Sequence, residues 1–353
     1  MIGAIYFGAK DVRCEDIPSP EIRQPHEILV KVAATSICGS DLHVYRGALE
    51  AIMDKGKSQT GHELVGTVVE CGSEVSGLQP GDRVTMGYSC SCGTCHMCEI
   101  GQTAHCETTN KAVYGFGTPF GDLNGTHAEY MILPHADGHV IKVPSAISDA
   151  AAVTLSCNLP SAIVANRLAD IQPGENVAVL GCGPTGLMAL DLAREAKPAC
   201  LVAFDRVDTR LEYASARGAN IINVCDEDHI AQGIAYTHGR GFDKVMEVVG
   251  EARSLQTSID LVRPGGTIAA IGVFSTDTFN LNLADVFLRD ISLHMNGFAN
   301  VYPVMQVGVE LLEQKVIEVD DLFTHEFKLS EIEKAYATFD QILDGAAKVL
   351  IRP

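Results

Sequence analysis

A glycine-rich turn between an apolar segment and a helix-like segment constrains the fold of this chain more than any other feature. Residues 176–193 read NVAVLGCGPTGLMALDLA and space Gly181, Gly183 and Gly186 as G-x-G-x-x-G. The first glycine allows a tight turn, the second lets the backbone approach a pyrophosphate, and the third lets the helix pack close to the strand. In this context the motif predicts a βαβ unit that binds a dinucleotide at the helix N-terminus.

A carboxylate in the following strand-like segment indicates which dinucleotide is bound. The segment CLVAFD ends in Asp205, 19 residues after Gly186. A carboxylate there can accept hydrogen bonds from both ribose hydroxyls of NAD, whereas the 2′-phosphate of NADP would meet its negative charge. The adjacent Arg206 could pair with that phosphate, but a single fixed negative charge close by suffices to reject it. We therefore predict NAD as the cofactor.

Hydrophobic patterning divides the chain of 353 residues into three segments. Residues 1–156 contain short strand-like stretches separated by glycine and proline turns. Residues 157–296 alternate strand-like and helix-like stretches, which indicates a parallel, doubly wound sheet. Residues 297–353 return to mixed elements. We predict a β-rich domain, an inserted α/β domain, and a C-terminal return to the first.

The junction between the first two segments is predicted to be helical. Residues 148–171 read SDAAAVTLSCNLPSAIVANRLADI, which lacks the alternation of a half-buried strand. Ser148 or Asp149 would cap the N-terminus of this helix.

Charge and cysteine usage limit the classes of protein that this chain can belong to. Its formal net charge of −19 argues against nucleic acid and anionic membranes, since both attract a basic surface. The sequence contains no apolar run of the roughly 20 residues that span a bilayer, and its N-terminus does not resemble a signal peptide. We expect a cytoplasmic protein. Because a reducing cytosol disfavours structural disulfides, a tight cluster among the twelve cysteines predicts a metal site.

Four cysteines in one short stretch have the spacing of a metal site. They are Cys92, Cys95, Cys98 and Cys106. Four thiolates from one loop can enclose a tetrahedral zinc with no open position, which defines a structural site. Iron–sulfur ligation remains an alternative on cysteine number alone, and Cys90 is interpreted as a bystander.

A second set of candidate ligands is dispersed along the chain. Cys38, His62 and Cys157 offer thiolate, imidazole and thiolate to one zinc and would leave a fourth position for water or substrate. Taken singly, a histidine is more often a hydrogen-bonded core residue and a cysteine more often a small buried hydrophobe. Only the combination predicts a catalytic metal.

At these residues the sequence resembles the zinc-dependent alcohol dehydrogenases of the medium-chain dehydrogenase/reductase superfamily. The segment from Gly61 to Val75 matches the zinc signature G-H-E-x2-G-x5-G-x2-V of that family, and the four-cysteine loop matches its structural-zinc lobe. The resemblance covers essentially the whole chain. It implies an α/β fold with a GroES-like β-rich catalytic domain and an inserted Rossmann domain with a doubly wound parallel sheet.

The resemblance also implies roles for residues around the catalytic zinc. Cys38, His62 and Cys157 would be its ligands, and Glu63 resembles a nearby carboxylate that can approach or ligate the metal. Asp41 would hold the imidazole of His62 in the right tautomer. The relatives that these residues resemble carry two zinc ions per subunit.

Two more residues resemble members of a proton relay. Ser40 would receive the proton of the alcohol, and His43 would be a later member of the relay. Further cofactor contacts are implied for the following residues: Pro184, Thr185, Arg206, Arg210, Val248, Val249, Gly250, Ile271, Gly272, Val273, Ser161 and Lys348. Of these, Lys348 would meet the pyrophosphate or else be a solvated lysine.

The function implied is reversible NAD-linked oxidation of a primary or secondary alcohol to an aldehyde or ketone. A threonine or polyol dehydrogenase, of the sorbitol or butanediol type, is an alternative, because CGSDLHVYRG resembles those groups as closely. A non-catalytic zinc- and nucleotide-binding sensor is a third. The expected partner is a small-molecule alcohol or carbonyl compound, and the expected assembly is a homotetramer or homodimer.

Overall fold

The computed structural model describes residues 1–275 and 278–353. These residues form two compact units, Met1–Pro160 with Asn300–Pro353, and Ser161–Ala299. The C-terminal segment thus belongs with the N-terminal one, and the second unit is inserted between them. The predicted division at residue 157 lies a few residues too early, so Cys157 belongs to the first unit and not to the inserted one.

The described residues form fifteen strands and eleven α-helices. The strands are β1 Ile2–Gly8, β2 Asp11–Asp16, β3 Ile28–Ile37, β4 Leu64–Cys71, β5 Arg83–Met86, β6 Tyr130–Leu133, β7 Val140–Lys142, β8 Asn176–Leu180, β9 Cys200–Asp205, β10 Asn220–Asn223, β11 Phe242–Glu247, β12 Val262–Ala270, β13 Ser292–Met295, β14 Phe323–Lys328 and β15 Lys348–Arg352. The helices are α1 Gly39–Tyr45, α2 His96–Glu99, α3 Asp149–Thr154, α4 Asn158–Ala169, α5 Pro184–Glu195, α6 Asp208–Ala216, α7 His229–Tyr236, α8 Ala252–Leu261, α9 Leu283–Leu288, α10 Tyr302–Glu313 and α11 Ile332–Gln341.

Strand β3 is the centre of the first unit. Its sequence ILVKVAATSI starts with alternating burial, as expected for a strand with one face on the core, and ends in four buried residues. It pairs with β4, β6 and β15 in a seven-stranded sheet of order β14-β15-β3-β4-β5-β7, with β6 alongside β3. The pairing of β15 with β3 joins Val349 to Ile37 and Ile351 to Thr35. The last strand of the chain therefore lies beside the segment that leads to Cys38.

The second unit is built on a sheet of six described strands in the order β10-β9-β8-β11-β12-β13. All five pairings are parallel. Strands β8 and β9 are buried at all but their first residue, because helices cover both faces of a doubly wound sheet. The chain runs from β8 to β9 on one side and later reaches β11 on the other. Ligands bind outside the carboxyl ends of the strands at such a switch point.

The predicted helix at residues 148–171 is interrupted. Ser148 caps α3 by accepting a hydrogen bond from the amide of Ala151 at 3.0 Å, but the helix ends at Thr154 and α4 begins at Asn158. Ser156 lies in the break, where its hydroxyl accepts from the amide of Leu64 and its carbonyl accepts from the amide of Tyr88. These contacts to neighbouring segments compete with continued helix and turn the chain at Cys157.

Among the described residues, no helix has both the length and the apolar character that crossing a bilayer requires.

Candidate active site and metal centres

Four side chains converge in the first unit. The ligand atoms of Cys38, His62, Glu63 and Cys157 all lie within 4.8 Å of one another. Cys38 caps α1, His62 and Glu63 precede β4, and Cys157 lies in the break between α3 and α4. The fold thus brings together the three residues predicted as catalytic zinc ligands and adds the predicted carboxylate.

Asp41 fixes the orientation of His62. One oxygen of its carboxylate lies 3.0 Å from His62 Nδ1, and the other accepts from the amide of Cys38 at 2.8 Å. Because Nδ1 faces a carboxylate, Nε2 is the nitrogen left for a metal. Burial lowers the pKa of His62, but the charges and hydrogen bonds of Asp41 and Cys38 together outweigh this effect and raise that pKa well above its ordinary value. Ser40 Oγ lies 3.3 Å from Nε2, at the ligand group.

The carboxylate of Glu63 is fully buried, and its two oxygens differ. Oε2 accepts from the hydroxyl of Ser36 and from Lys348 Nζ at 2.8 Å. Oε1 has no hydrogen-bond partner among the described residues. Burial raises the pKa of Glu63 to about 7, although the charge of Lys348 opposes the shift. A buried, unpartnered carboxylate oxygen beside two thiols and an imidazole fits a divalent cation, and this donor set is one that zinc prefers.

Lys348 corrects the sequence prediction. It is fully buried on β15, where its ammonium pairs with Glu63 and lies 3.4 Å from the carbonyl of Ile37. A pyrophosphate cannot reach an ammonium with no exposed surface, so the predicted phosphate contact is wrong for this structure. The alternative of a solvated lysine is equally wrong. Lys348 instead neutralises the carboxylate beside the metal ligands.

The two thiols of this group differ in acidity. A hydrogen bond from Cys157 lowers the pKa of Cys38 well below that of an ordinary thiol, and the same bond raises the pKa of Cys157. Asn158 Nδ2 also donates to Cys38 Sγ, at 3.4 Å. Cys38 is therefore the sulfur on which negative charge is most strongly stabilised.

Aromatic rings surround His62. The ring of Phe116 is tilted against it with the centroids 5.6 Å apart, and Tyr88 meets it edge-on at 6.3 Å. Phe120 packs edge-on against Phe116. Burial raises the pKa of Tyr88 well above 10, and the nearby Cys157 thiol adds to the shift, so its hydroxyl stays protonated.

The four-cysteine loop forms the second group of candidate ligands. The sulfur of Cys95 lies 3.5 Å from that of Cys98 and 3.8 Å from that of Cys106, and Cys92 lies 4.0 Å from Cys98. A tetrahedral zinc with bonds of about 2.3 Å requires sulfur–sulfur separations of about 3.8 Å. Separations this short fit one metal ion rather than a cluster.

Backbone amides and hydroxyls prepare these thiols for a metal. Burial raises the pKa of Cys92, but hydrogen bonds from Thr108, from Thr94 and from backbone amides outweigh this effect and lower it to about 5. Cys90 lies outside the group, donates to the carbonyl of Pro134 at 3.5 Å, and has its pKa raised by burial.

The glycine motif of the second unit has the geometry that its sequence predicts. Gly181 adopts φ +96° at the turn, and a Cβ on Gly186 would overlap the carbonyl oxygen of Gly181. Gly183 differs, because a Cβ there would meet nothing within 4 Å. Helix α5 starts at Pro184, directly after this open space. The N-terminus of α5 can therefore accept a phosphate group that a bulkier loop would exclude.

Asp205 ends β9 beside this loop, with both carboxylate oxygens bonded to backbone. Oδ2 accepts from the amide of Cys182 at 2.7 Å and Oδ1 from the amide of Val207 at 2.9 Å. The carboxylate is thus held in place, with lone pairs left for ribose hydroxyls. Arg206 is exposed, and Arg210 lies on α6.

The loops after β11 and β12 complete this edge of the sheet. Residues 248–250 and 271–273 lie side by side, since a Cβ on Gly250 or Gly272 would overlap backbone of the other loop. Both contain predicted cofactor contacts. Ser161 lies on α4 at the start of the unit. Its contact with a nicotinamide stays a prediction.

Sequence comparison agrees with both units. Residues 24–145 match the alcohol dehydrogenase GroES-like domain family, and residues 184–328 match the zinc-binding dehydrogenase family. The chain belongs to the zinc-dependent alcohol dehydrogenases of the medium-chain dehydrogenase/reductase superfamily. It is therefore a zinc-dependent oxidoreductase rather than the non-catalytic sensor kept as an alternative.

Individual relatives resemble the dehydrogenase along nearly its full length. Zinc-type alcohol dehydrogenase B of Aspergillus flavus is 39% identical over 96% of this chain and 79% of its own. A protein of Mycobacterium tuberculosis named a probable zinc-binding alcohol dehydrogenase is 36% identical over 96% of this chain and 85% of its own. The solved structure of alcohol dehydrogenase TADH from Thermus sp. ATN1 superimposes with a TM-score of 0.92 at 33% identity, covering 100% of this chain and 99% of that one.

Several side chains that contact the candidate sites of this dehydrogenase were not predicted from its sequence. Ser36 and Asn158 contact the ligand group, and Glu247 accepts from the amides of Val249 and Gly250 and so shapes a cofactor loop. Glu247 carries a detectable signal, because a charged residue ending a buried parallel strand lies at the ligand-binding edge. Ser36 and Asn158 carry none beyond their proximity to Cys38 and Cys157 in the sequence.

Proposed function

We propose that this enzyme catalyses the reversible, NAD-linked oxidation of a primary or secondary alcohol to an aldehyde or ketone. The observation that carries the proposal is the convergence of Cys38, His62, Glu63 and Cys157 in a chain whose second unit presents Asp205 beside a phosphate-binding glycine loop. Family membership supports the alcohol as substrate class, and Asp205 supports the choice of cofactor.

The residues of the first unit would divide the chemistry among them. Cys38, His62 and Cys157 would hold a zinc ion, which when bound supplies a Lewis acid that polarises the oxygen of an alcohol or carbonyl compound. Ser40 has a hydroxyl at the ligand group that can accept the proton of the alcohol. His43 follows three residues later on α1 and therefore lies on the same helix face, where it can take the proton onward.

Solved relatives do not decide the nucleotide by themselves. A zinc-binding dehydrogenase of Sinorhizobium meliloti is bound to NADP and an Escherichia coli dehydrogenase is complexed with NADH, each at 26% identity to this chain. Asp205 favours NAD, because two backbone amides hold its carboxylate and it cannot swing away from an approaching 2′-phosphate. NADP would lose charged hydrogen bonds to Asp205, each worth about 1.5–3 kcal/mol. This loss corresponds to a binding affinity at least about tenfold weaker than that of NAD.

The environment of the ligand group favours an apolar alcohol over a polyol. Phe116 and Tyr88 present rings beside His62, and these rings can contact an apolar substituent of the alcohol. The carboxylate of Asp41 bonds to His62, and the side-chain NH2 of Asn158 bonds to Cys38. A polyol would need free polar partners for each additional hydroxyl. The polyol alternative retains support from the sorbitol dehydrogenase of Bacillus subtilis, which is 30% identical to this chain.

Assembly as a homotetramer or homodimer in the cytoplasm forms part of the same proposal. Helix α9 exposes Leu283, Phe287 and Leu288 by 72–79%, and the adjacent edge strand β13 exposes Met295 by 55%. Exposed apolar side chains at and near the open edge of a sheet are typical of a protein interface. All twelve cysteines are free thiols, which fits a reducing compartment.

Steady-state kinetics with both nucleotides test the proposal. We expect kcat/KM with NAD to exceed that with NADP at least about tenfold for wild type, and Asp205→Gly or the isosteric Asp205→Asn to narrow or reverse this ratio. Asp208→Asn, which changes an exposed carboxylate nearby, should leave the ratio of NAD to NADP activity unchanged.

The substrate class is tested with ethanol, benzyl alcohol, 2-butanol, threonine and sorbitol as substrates. Equal use of the two nucleotides contradicts the assignment of Asp205, and preference for sorbitol or threonine contradicts the substrate class.

A further inference from the structure

The side-chain amide of Asn158 bonds to a metal ligand. Nδ2 donates to Cys38 Sγ at 3.4 Å, and the side chain is buried with 1% of its surface exposed. Asn158 is the first residue of α4 and follows Cys157 directly. One short turn of the chain therefore provides both a metal ligand and a hydrogen-bond donor to another ligand. We propose that Asn158 is a positioning residue, which sets how much negative charge Cys38 donates to the catalytic zinc.

The physical reason is the competition for the sulfur lone pairs. A thiolate that accepts an N–H hydrogen bond has less charge to give to a metal, and such bonds are a recognised means by which proteins tune metal–sulfur sites. The metal then remains a stronger Lewis acid toward the oxygen of the substrate. The bond also restrains the position of the sulfur, because the nitrogen, hydrogen and acceptor atoms of a hydrogen bond prefer a nearly linear arrangement.

Asn158 acts in the opposite sense to Asp41. Asp41 accepts a hydrogen bond from the Nδ1–H of His62 and so makes the imidazole a better donor to the metal. Asn158 withdraws charge from Cys38. With both partners present, the negative charge donated to the metal is lower than with Asp41 alone and higher than with Asn158 alone. This balance is lost if the amide is replaced by an apolar group, although the volume is kept.

Asn158→Leu separates this role from packing, because leucine is of similar size but lacks the donor. The matched control is Asn166→Leu on the same helix, which removes an amide that bonds to the carbonyls of Ala162 and Ala189. Each protein is prepared with cobalt(II) in place of zinc. Its cysteine-to-cobalt charge-transfer absorption is recorded, and the contribution of the four-cysteine site cancels in the difference spectrum against wild type.

We expect the charge-transfer band of Asn158→Leu to move to longer wavelength, because sulfur lone pairs rise in energy without the hydrogen bond. The zinc enzyme should retain two metal ions per subunit while kcat for alcohol oxidation falls about tenfold. Asn166→Leu should lose thermal stability without a change in the band. Asn158→Ala, which also lacks the donor, should shift the band in the same direction.

Three outcomes overturn the proposal. The band can stay in place in Asn158→Leu or Asn158→Ala, it can move equally in Asn166→Leu, or both variants at position 158 can lose the catalytic metal. The last result would make Asn158 necessary for forming the site rather than for tuning it.

Discussion

His139 shows how one buried residue makes the stability of this protein depend on pH. Its Nδ1 lies 3.2 Å from the carbonyl of His135, and its Nε2 lies 2.8 Å from the hydroxyl of Tyr114. Because a carbonyl can only accept, Nδ1 carries the proton and Nε2 accepts from the tyrosine. Burial lowers the pKa of His139 to about 4. The neutral ring satisfies both neighbours, whereas protonation would oppose the Tyr114 hydrogen bond.

The free energy of unfolding should therefore fall as the pH decreases from about 6.5 to 4. In this window the unfolded chain binds a proton at position 139 and the folded chain does not, so stability rises with pH by about 1.4 kcal/mol per unit. The contribution is fully present above pH 6.5. Denaturant unfolding between pH 5 and 6.5 with excess zinc measures how steeply the free energy of unfolding changes with pH. In His139→Gln this slope should be smaller, by an amount equivalent to about one bound proton. The exposed His238→Gln should match wild type, and an unchanged slope in His139→Gln would contradict the assignment.

Among the elements, the four-cysteine loop is the one whose stability we expect to depend on a bound zinc ion. Between Cys92 and Cys106 the chain forms only the four-residue α2 and a 3₁₀ turn at Thr103–His105. Elements this short are not stable by themselves, since helix nucleation is costly. Four thiolates bound to one zinc ion would provide the cross-links that a larger core would otherwise supply. Zinc binding to such a loop contributes directly to folding free energy.

Cys95→Ser should lower the zinc content from two ions to one per subunit and lower Tm by at least about 5 °C, equivalent to a loss of a few kcal/mol. The kcat of the folded fraction should change less than the stability. Cys90→Ser is the matched control, because it alters a buried thiol of the same segment outside the ligand set. It should retain both ions. Unchanged stability of Cys95→Ser with reduced turnover would mean that this metal is not structural.

At the scale of the whole molecule, the apolar surface on α9 and β13 bears on assembly. Phe287 is the most exposed of the large apolar side chains described, at 79%. The opposite edge of the same sheet, β10, exposes only Ile221 among large hydrophobic residues, at 39%. If copies of the chain associate through α9 and β13, a charge at position 287 should cost affinity, because it would be buried without a partner.

Phe287→Glu should therefore shift the molar mass measured by light scattering during gel filtration toward a smaller species. Zinc content should remain at the wild-type value. Ile221→Glu places the same charge on the other edge and should leave the mass unchanged. A monomeric wild type, or a variant with the wild-type mass, would count against assembly through this surface.

The sequence by itself determined the features that local spacing controls. Four cysteines within one loop converge to sulfur–sulfur distances that suit a single metal ion, and Gly181, Gly183 and Gly186 shape a turn between a strand and the helix that follows it. Strand β9 agrees with the predicted segment CLVAFD because a buried parallel strand is a continuous apolar run. Asp205, at the end of this strand, was likewise predicted from the sequence.

Only the tertiary structure decided what lies around the ligand group. Lys348 meets Glu63 across 285 residues of sequence because β15 pairs with β3, and no local pattern specifies that register. The predicted helix breaks at Cys157 because Ser156 bonds to distant segments, which overrides helix propensity. That break places the amide of Asn158 on the sulfur of Cys38. Contacts between residues far apart in the chain depend on the packing of whole elements, and this packing also converted an expected phosphate-binding lysine into the buried partner of a carboxylate.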